Sequence, residues 1–175
     1  MKRTLWFIFF LLNSLLHLFA DGENNSLLKE LDKVISERSI YTREKETVIK
    51  ELKKKKAGLN SLEDIYNLNK EIIHQYGTFV CDSAEQYIHE NIDIAKEIGD
   101  EEYFLEGRLR LAFIYSLSGL FIQANDIFKS IKCVDLPVHL KALYCWNRIR
   151  YYENLINYTD DIRFSSEYMQ QKEAY

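Results

Sequence analysis

The sequence predicts an all-α fold in which antiparallel helix pairs stack into an α-α superhelix. Two observations carry this prediction. The 175 residues include one Pro and six Gly, so the chain contains few residues that end helices. Apolar residues also recur three and four positions apart along several segments, which is the spacing of one buried helix face. Such a stack buries its core only between neighbouring pairs, and it presents an extended surface suited to binding.

Residues 1–20 have the three-part pattern of a secretory signal peptide. Lys2 and Arg3 form a short basic start, and a mostly apolar run over residues 5–16 follows. This run is shorter than the roughly 20 residues of a membrane-spanning helix. We therefore expect export, with cleavage after Ala20. The alternative is an uncleaved anchor that keeps the protein in the membrane.

The charge balance of the chain after the leader excludes one class of partner. Without Lys2 and Arg3 the chain has 21 basic and 27 acidic residues, a net charge of −6. A general nucleic-acid binder would be basic, so we expect no nucleic-acid partner. The remaining length of about 155 residues is enough for one domain with a substantial core.

Residues 21–60 are predicted to form an N-terminal helical hairpin. The apolar spacing predicts a first helix over about 26–37 and a second over about 41–56, with a break near Ser39. The second helix ends on four consecutive lysines, which suit the negative end of the helix dipole. Gly58 follows and is expected to end the helix in a left-handed conformation.

Residues 61–175 are predicted to form the stacked helical repeats. Five helices are expected, with approximate bounds of 62–76, 83–98, 101–117, 121–132 and 138–154. Ser61 is placed to cap the first of these helices and Asp82 the second. Pro137 marks the start of the last. The segment 165–175 resembles the opening of another helix, which is consistent either with a truncated chain or with a natural end that frays.

The clearest repeat lies in residues 105–138, where two amphipathic helices meet at Ser118 and Gly119. Its order of bulky, small, Tyr, turn Gly, Ala and aromatic residues resembles a tetratricopeptide repeat (TPR). The residues that follow this order and are expected in the repeat core are Leu111, Ala112, Tyr115, Gly119, Ala124 and Phe128. Arg108 departs from it, because a bulky apolar residue is usual there. In the preceding unit, Ala84 and Ile88 align with Ala124 and Phe128 at a spacing of 40 residues.

The order of the segments is similar to that of bacterial exported or membrane-tethered TPR regulators. The most specific matches are Leu31-Asp32 with Tyr41 and Lys45, and Asp82-Ser83-Ala84. In that family a periplasmic repeat region precedes a transmembrane helix, a coiled coil and a cytoplasmic domain of unknown function. The resemblance implies a sensing or scaffolding module facing the periplasm. It also implies membrane association if the leader is retained or if a C-terminal span is missing.

The resemblance implies a protein or peptide partner held in a groove lined by the first helix of each pair. On the helix 101–117 the positions expected to face the groove are Glu106, Leu109, Arg110, Phe113, Ser116 and Leu117. Arg110 is suited to bidentate pairing with a ligand carboxylate, and Phe113 to an apolar contact. Two of these six positions could instead be covered by the next helix pair. The alternative function is a structural periplasmic or envelope assembly protein without a signalling role.

The sequence offers no catalytic constellation. His74 and His89 are isolated from any recognisable nucleophile, and no Gly-rich phosphate loop is present. We therefore expect no enzyme activity, no cofactor and no metal site. The run Lys53–Lys56 could contact anionic lipid, but a solvated helix end is the favoured interpretation.

Three cysteines, Cys81, Cys133 and Cys145, are too few and odd in number for a disulfide framework. Cys133 and Cys145 could form a disulfide if their helices are neighbours and the protein is exported. Free buried thiols are the favoured interpretation, because cysteine packs as a small hydrophobic residue.

Overall fold

The computed structural model describes the backbone of residues 2–77, 80–159 and 161–175, and their side chains from residue 26 onward. Within these ranges the chain has no β-strand, and the prediction of an all-α fold is confirmed. The helices are α1 (Lys2–Lys56), α2 (Leu62–Tyr76), α3 (Cys81–Ile98), α4 (Glu101–Leu117), α5 (Phe121–Ser130), α6 (Val138–Tyr158) and α7 (Ile162–Glu173), with a short 3-10 turn at Cys133–Asp135. The chain divides into two compact units, Met1–Val48 and Ile49–Tyr175.

The helical hairpin predicted for residues 21–60 is wrong, because α1 continues without a break through Ser39. Neither Gly nor Pro occurs between Gly22 and Gly58, so nothing in the backbone forces the helix to end. The hydroxyl of Ser36 donates to the Lys33 carbonyl at 2.7 Å, which accommodates this serine inside the helix.

The predicted leader, residues 1–20, has side chains that lie outside the described part of the structure. Across the residues that are described, no helix is both long enough and apolar enough to cross a membrane.

After the last turns of α1, the second unit contains three helix pairs, α2 with α3, α4 with α5, and α6 with α7. Helix α4 is central, because it packs against α3, α5 and α6. Four of the predicted repeat positions, Leu111, Ala112, Ala124 and Phe128, are buried between these helices. Gly119 has a φ of +77°, a conformation that favours glycine, and it forms the turn between α4 and α5.

Two asparagines on α6, the buried Asn147 and the half-buried Asn154, bond to α4 at fixed positions. The side-chain amide of Asn147 on α6 donates to the Leu109 carbonyl on α4 at 2.8 Å. Two turns further along α6, Asn154 donates to the Ser116 carbonyl at 3.2 Å. Because an unpaired amide would be costly in the core, these bonds favour one alignment of α6 on α4.

Only some of the helix caps predicted from the sequence are present in the structure. The prediction for Ser61 is confirmed, because its hydroxyl accepts from the Asp64 backbone N–H at 3.3 Å. The cap predicted at Asp82 is wrong: α3 begins earlier, after Val80, and Asp82 lies inside its first turn. Gly58 is not left-handed either, since Gly99 and Gly119 are the positive-φ glycines among the described residues.

The lysine run at the end of α1 is partly structural. Lys56 donates to both carboxylate oxygens of Glu90 at 2.6 Å and lies 4.9 Å from the centre of the Tyr87 ring. Lys53 lies 5.4 Å from the centre of the Tyr76 ring. The interpretation as a solvated helix end is therefore wrong for Lys56, which is half-buried, whereas Lys53, Lys54 and Lys55 are exposed.

Cys133 and Cys145 are free, half-buried thiols that interact with each other. Burial is the main cause that raises the pKa of Cys133, and the neighbouring Cys145 raises it further. The Cys133 thiol is therefore protonated at neutral pH and poorly reactive in this form.

Candidate functional site

A pocket of about 350 Å³ opens on the face formed by α2, α4 and α6, the first helices of the three pairs. Its lining combines cations, carboxylates and apolar side chains, contributed by Lys70, Glu102, Tyr103, Glu106, Arg110, His139, Leu140 and Leu143. All three helices contribute, so the pocket depends on the stacking of the pairs.

Glu106 lies at the centre of the polar contacts in this pocket. Its Oε1 accepts from Arg110 Nε at 3.0 Å and from Nη2 at 2.7 Å. Its Oε2 accepts from Lys70 Nζ at 3.0 Å and from the Tyr66 hydroxyl at 3.1 Å. One carboxylate from α4 therefore holds a cation from its own helix beside a cation from α2.

This cluster keeps a net positive charge. The Glu106 side chain is only 13 % exposed, whereas those of Lys70 and Arg110 are 33 % and 31 % exposed. Burial alone would raise the pKa of Glu106, but the bonds and charges of Arg110 and Lys70 together hold that pKa below its usual value. Glu106 is therefore ionised at neutral pH, and the three groups together carry one positive charge.

Two stacked tyrosines lie next to this cluster, and one of them bonds to Glu106. The rings of Tyr66 and Tyr103 lie 4.0 Å apart with planes inclined by 7°. Tyr66 is fully buried, and burial followed by the nearby charge of Glu106 raises its pKa. Its hydroxyl consequently remains a neutral donor to Glu106, which fixes the orientation of the carboxylate.

The remaining lining gives the pocket a charged rim and an apolar wall. His139 on α6 lies 3.5 Å from Glu102 on α4, and both side chains are more than half exposed. Leu140, which is buried, and Leu143, which is half-buried, form the wall contributed by α6. The pocket can therefore accept a ligand with an anionic group next to an apolar one.

The six predicted groove positions separate into three groups. Glu106 and Arg110 line the pocket. Phe113 is half-buried outside its lining, and Leu117 is 38 % exposed.

The placement of the other two positions, Leu109 and Ser116, on the groove surface is wrong, because they are 0 % and 1 % exposed. The backbone carbonyls of both residues accept the α6 asparagine bonds, so α6 packs against α4 at these two positions.

Lys70 and His139 were not predicted from the sequence as pocket residues. For Lys70, however, the repeat spacing could have predicted this place. Lys70 precedes Arg110 by 40 residues, which is the spacing that aligns Ala84 with Ala124. Applied to the first helix of each unit, this offset places a cation at the same position in two successive repeats. His139 carried no comparable signal, because its unit lacks a clear repeat pattern.

The stacked helix pairs, their repeat spacing and the surface on their first helices define a TPR protein, a class whose domains are protein-interaction modules. The family model of the SusR N-terminal TPR domain matches residues 35–175. The chain therefore belongs to this family, whose repeats typically form non-catalytic binding scaffolds. Neither the curated proteins nor the solved structures gave a match to the chain.

Proposed function

We propose that this TPR domain binds an acidic segment of a protein or peptide in the pocket between α2, α4 and α6. The observation that carries the proposal is the pairing of Lys70 and Arg110 across Glu106, at 3.0 Å and 2.7 Å. Two cations from different repeats are held side by side, about two-thirds buried, around a single carboxylate.

The cations retain donors that a ligand can use. A guanidinium has five N–H donors and an ammonium has three. Arg110 directs two of its donors to Glu106, and Lys70 directs one to Oε2. A ligand carboxylate beside the cluster would bind the remaining donors through charge-assisted hydrogen bonds. Leu143 on the opposite wall would contact an apolar neighbour of that carboxylate.

The binding prediction is tested by selecting random peptides on the full chain and on a Lys70→Gln, Arg110→Gln double variant. We expect peptides with acidic residues or free C-terminal carboxylates to be enriched on the unmodified chain. Affinity for the double variant should fall at least about tenfold, because two charge-assisted bonds are lost.

The matched control is the Lys54→Gln, Lys55→Gln variant, which removes the same charge from exposed positions on α1. It should retain the selected peptides, because these lysines lie outside the pocket lining. Selected peptides that bind all three chains equally would reject the pocket as the binding site. Circular dichroism establishes that each variant keeps its helical content.

We further propose that the chain is exported and acts as the sensing or scaffolding part of a bacterial regulator. The basic start, the apolar run and Ala20 support export. Membership in a family defined by an N-terminal regulator domain is consistent with the sensing role. A structural role in the envelope is the competing function.

Export is tested by expressing the full chain in a bacterium and separating periplasm, membrane and cytoplasm. We expect the protein outside the cytoplasm, with Asp21 as its first residue if the leader is cleaved after Ala20. Mass spectrometry of the intact protein reads the N-terminus directly. Recovery of the uncleaved chain in the cytoplasm would contradict export.

A further inference from the structure

Among the described side chains of helix α1, a long apolar stripe is exposed. The side chains of the stripe are 46–61 % exposed and belong to Leu27, Leu31, Val34, Tyr41 and Val48. Counting Arg38 and Lys45 between them, the positions alternate by four and three residues from Leu27 to Val48. This is the spacing of the a and d positions of a coiled coil, continued over three heptads.

The charged positions beside the stripe follow the same repeat. With Leu31 at position a, the preceding g positions in successive heptads are Glu30, Glu37 and Glu44. Arg38 and Lys45 occupy a positions, each directly after one of these glutamates. In a parallel pair of helices the g residues of one helix flank the a positions of the other. The cations of one helix would therefore lie beside glutamates of the second.

We propose that the segment 27–48 of α1 is a dimerisation surface that pairs with the same segment of a second copy as a parallel two-stranded coiled coil. The five apolar side chains form the seam, and Arg38 of each copy lies beside Glu37 of the other. Twenty-two residues give a seam of about 33 Å. The charged a positions reduce the stability of the pair but fix its register.

The charge of this segment favours a second copy over a lipid surface. Residues 26–48 contain five basic and five acidic side chains, so their net charge is zero. Helices that lie on membranes usually have a polar face rich in Lys and Arg, because they are attracted to anionic lipids. The regular glutamates of α1 would instead oppose such attraction.

Disulfide trapping tests both the surface and its parallel orientation. In a full chain carrying Cys81→Ser, Cys133→Ser and Cys145→Ser, we introduce Val34→Cys at a d position or Ser36→Cys at an f position. Both sites are exposed on the same turn of α1. In a parallel pair Val34 faces its own counterpart, so mild oxidation should convert most of that variant to a covalent dimer. The Ser36→Cys variant should stay at the mass of one chain, and equal crosslinking of the two would overturn the proposal.

Sedimentation of the full chain in a mild non-ionic detergent provides the second measurement. We expect the unmodified chain at the mass of two copies, and the Leu31→Glu, Tyr41→Glu variant at the mass of one. The control Ser36→Glu, Arg43→Glu places two glutamates on the opposite face and should remain dimeric. A monomeric unmodified chain overturns the proposal, and binding of that monomer to vesicles of anionic phospholipid would identify the stripe as a membrane contact. Peptide selection on the pocket is a separate readout, so failure of either proposal leaves the other standing.

Discussion

Replacing Phe128 with Ala is expected to lower the free energy of unfolding of the full chain by roughly 3–5 kcal/mol. The Phe128 side chain is 1 % exposed. Its ring meets those of Tyr144 and Tyr151 edge-on, at centroid distances of 5.6 and 5.7 Å, and the Arg148 guanidinium lies 5.1 Å away. Truncation therefore leaves a cavity bounded by large side chains from α6, and it removes two ring–ring contacts and one cation–π contact.

Urea denaturation followed by circular dichroism measures this loss. The control is Phe164→Ala, which makes the same chemical change on α7 at a side chain that is 49 % exposed. It should cost about 1 kcal/mol or less, because little apolar area leaves the core. Comparable losses in the two variants would show that the α5–α6 contact does not stabilise the stack as described.

The helices of the second unit could largely be predicted because local signals and burial agree there. The predicted bounds 62–76 and 101–117 coincide with α2 and α4. Ser61 caps α2, and Asp100 caps α4 by accepting from the Tyr103 backbone N–H at 2.9 Å. Helix α3 has no side-chain cap, and its start was predicted two residues too late.

The predicted break near Ser39 is absent because a serine does not by itself end a helix. Serine in a helix can bond back to a carbonyl of the preceding turn, as Ser36 does to Lys33. The two apolar stripes predicted as separate helices share one heptad phase from Leu27 to Val48. The heptad spacing continues without interruption through Ser39, which indicates a single helix. The same spacing supports the proposal that α1 pairs with a second copy of the chain.

The candidate site could be predicted only where one helix supplies it. Glu106 and Arg110 lie one turn apart on α4, so helical geometry places them together. Lys70 reaches the same carboxylate from α2. This contact between Lys70 and Glu106 depends on the distance between α2 and α4. The sequence of one helix alone does not predict that distance. The 40-residue repeat spacing relates Lys70 to Arg110 and so could have predicted its place in the pocket. The unit that contains His139 has no clear repeat pattern, so no such spacing predicts its place.

Replacing Leu109 with Ala is expected to cost about 2–5 kcal/mol of unfolding free energy. The TPR register places Leu109 on the binding face, but its side chain is 0 % exposed. The Asn147 side-chain amide donates to the Leu109 carbonyl at 2.8 Å and holds α6 against α4 at this position. Leu109 therefore acts in the contact between successive pairs, and its truncation should open a cavity there.

Leu117→Ala is the matched control, because the same substitution is made in the same helix at a position also assigned to the groove. Leu117 is 38 % exposed, so its truncation should cost about 1 kcal/mol. Thermal and urea denaturation of the two variants give the comparison. A larger loss for Leu117 than for Leu109 would mean that α6 does not cover α4, and the pocket built from both helices would then lose its α6 wall. We expect the larger loss for Leu109, which would show that the binding face requires the contact between α4 and α6. The packing that buries Leu109 also places His139 and Leu143 in the same pocket as Arg110.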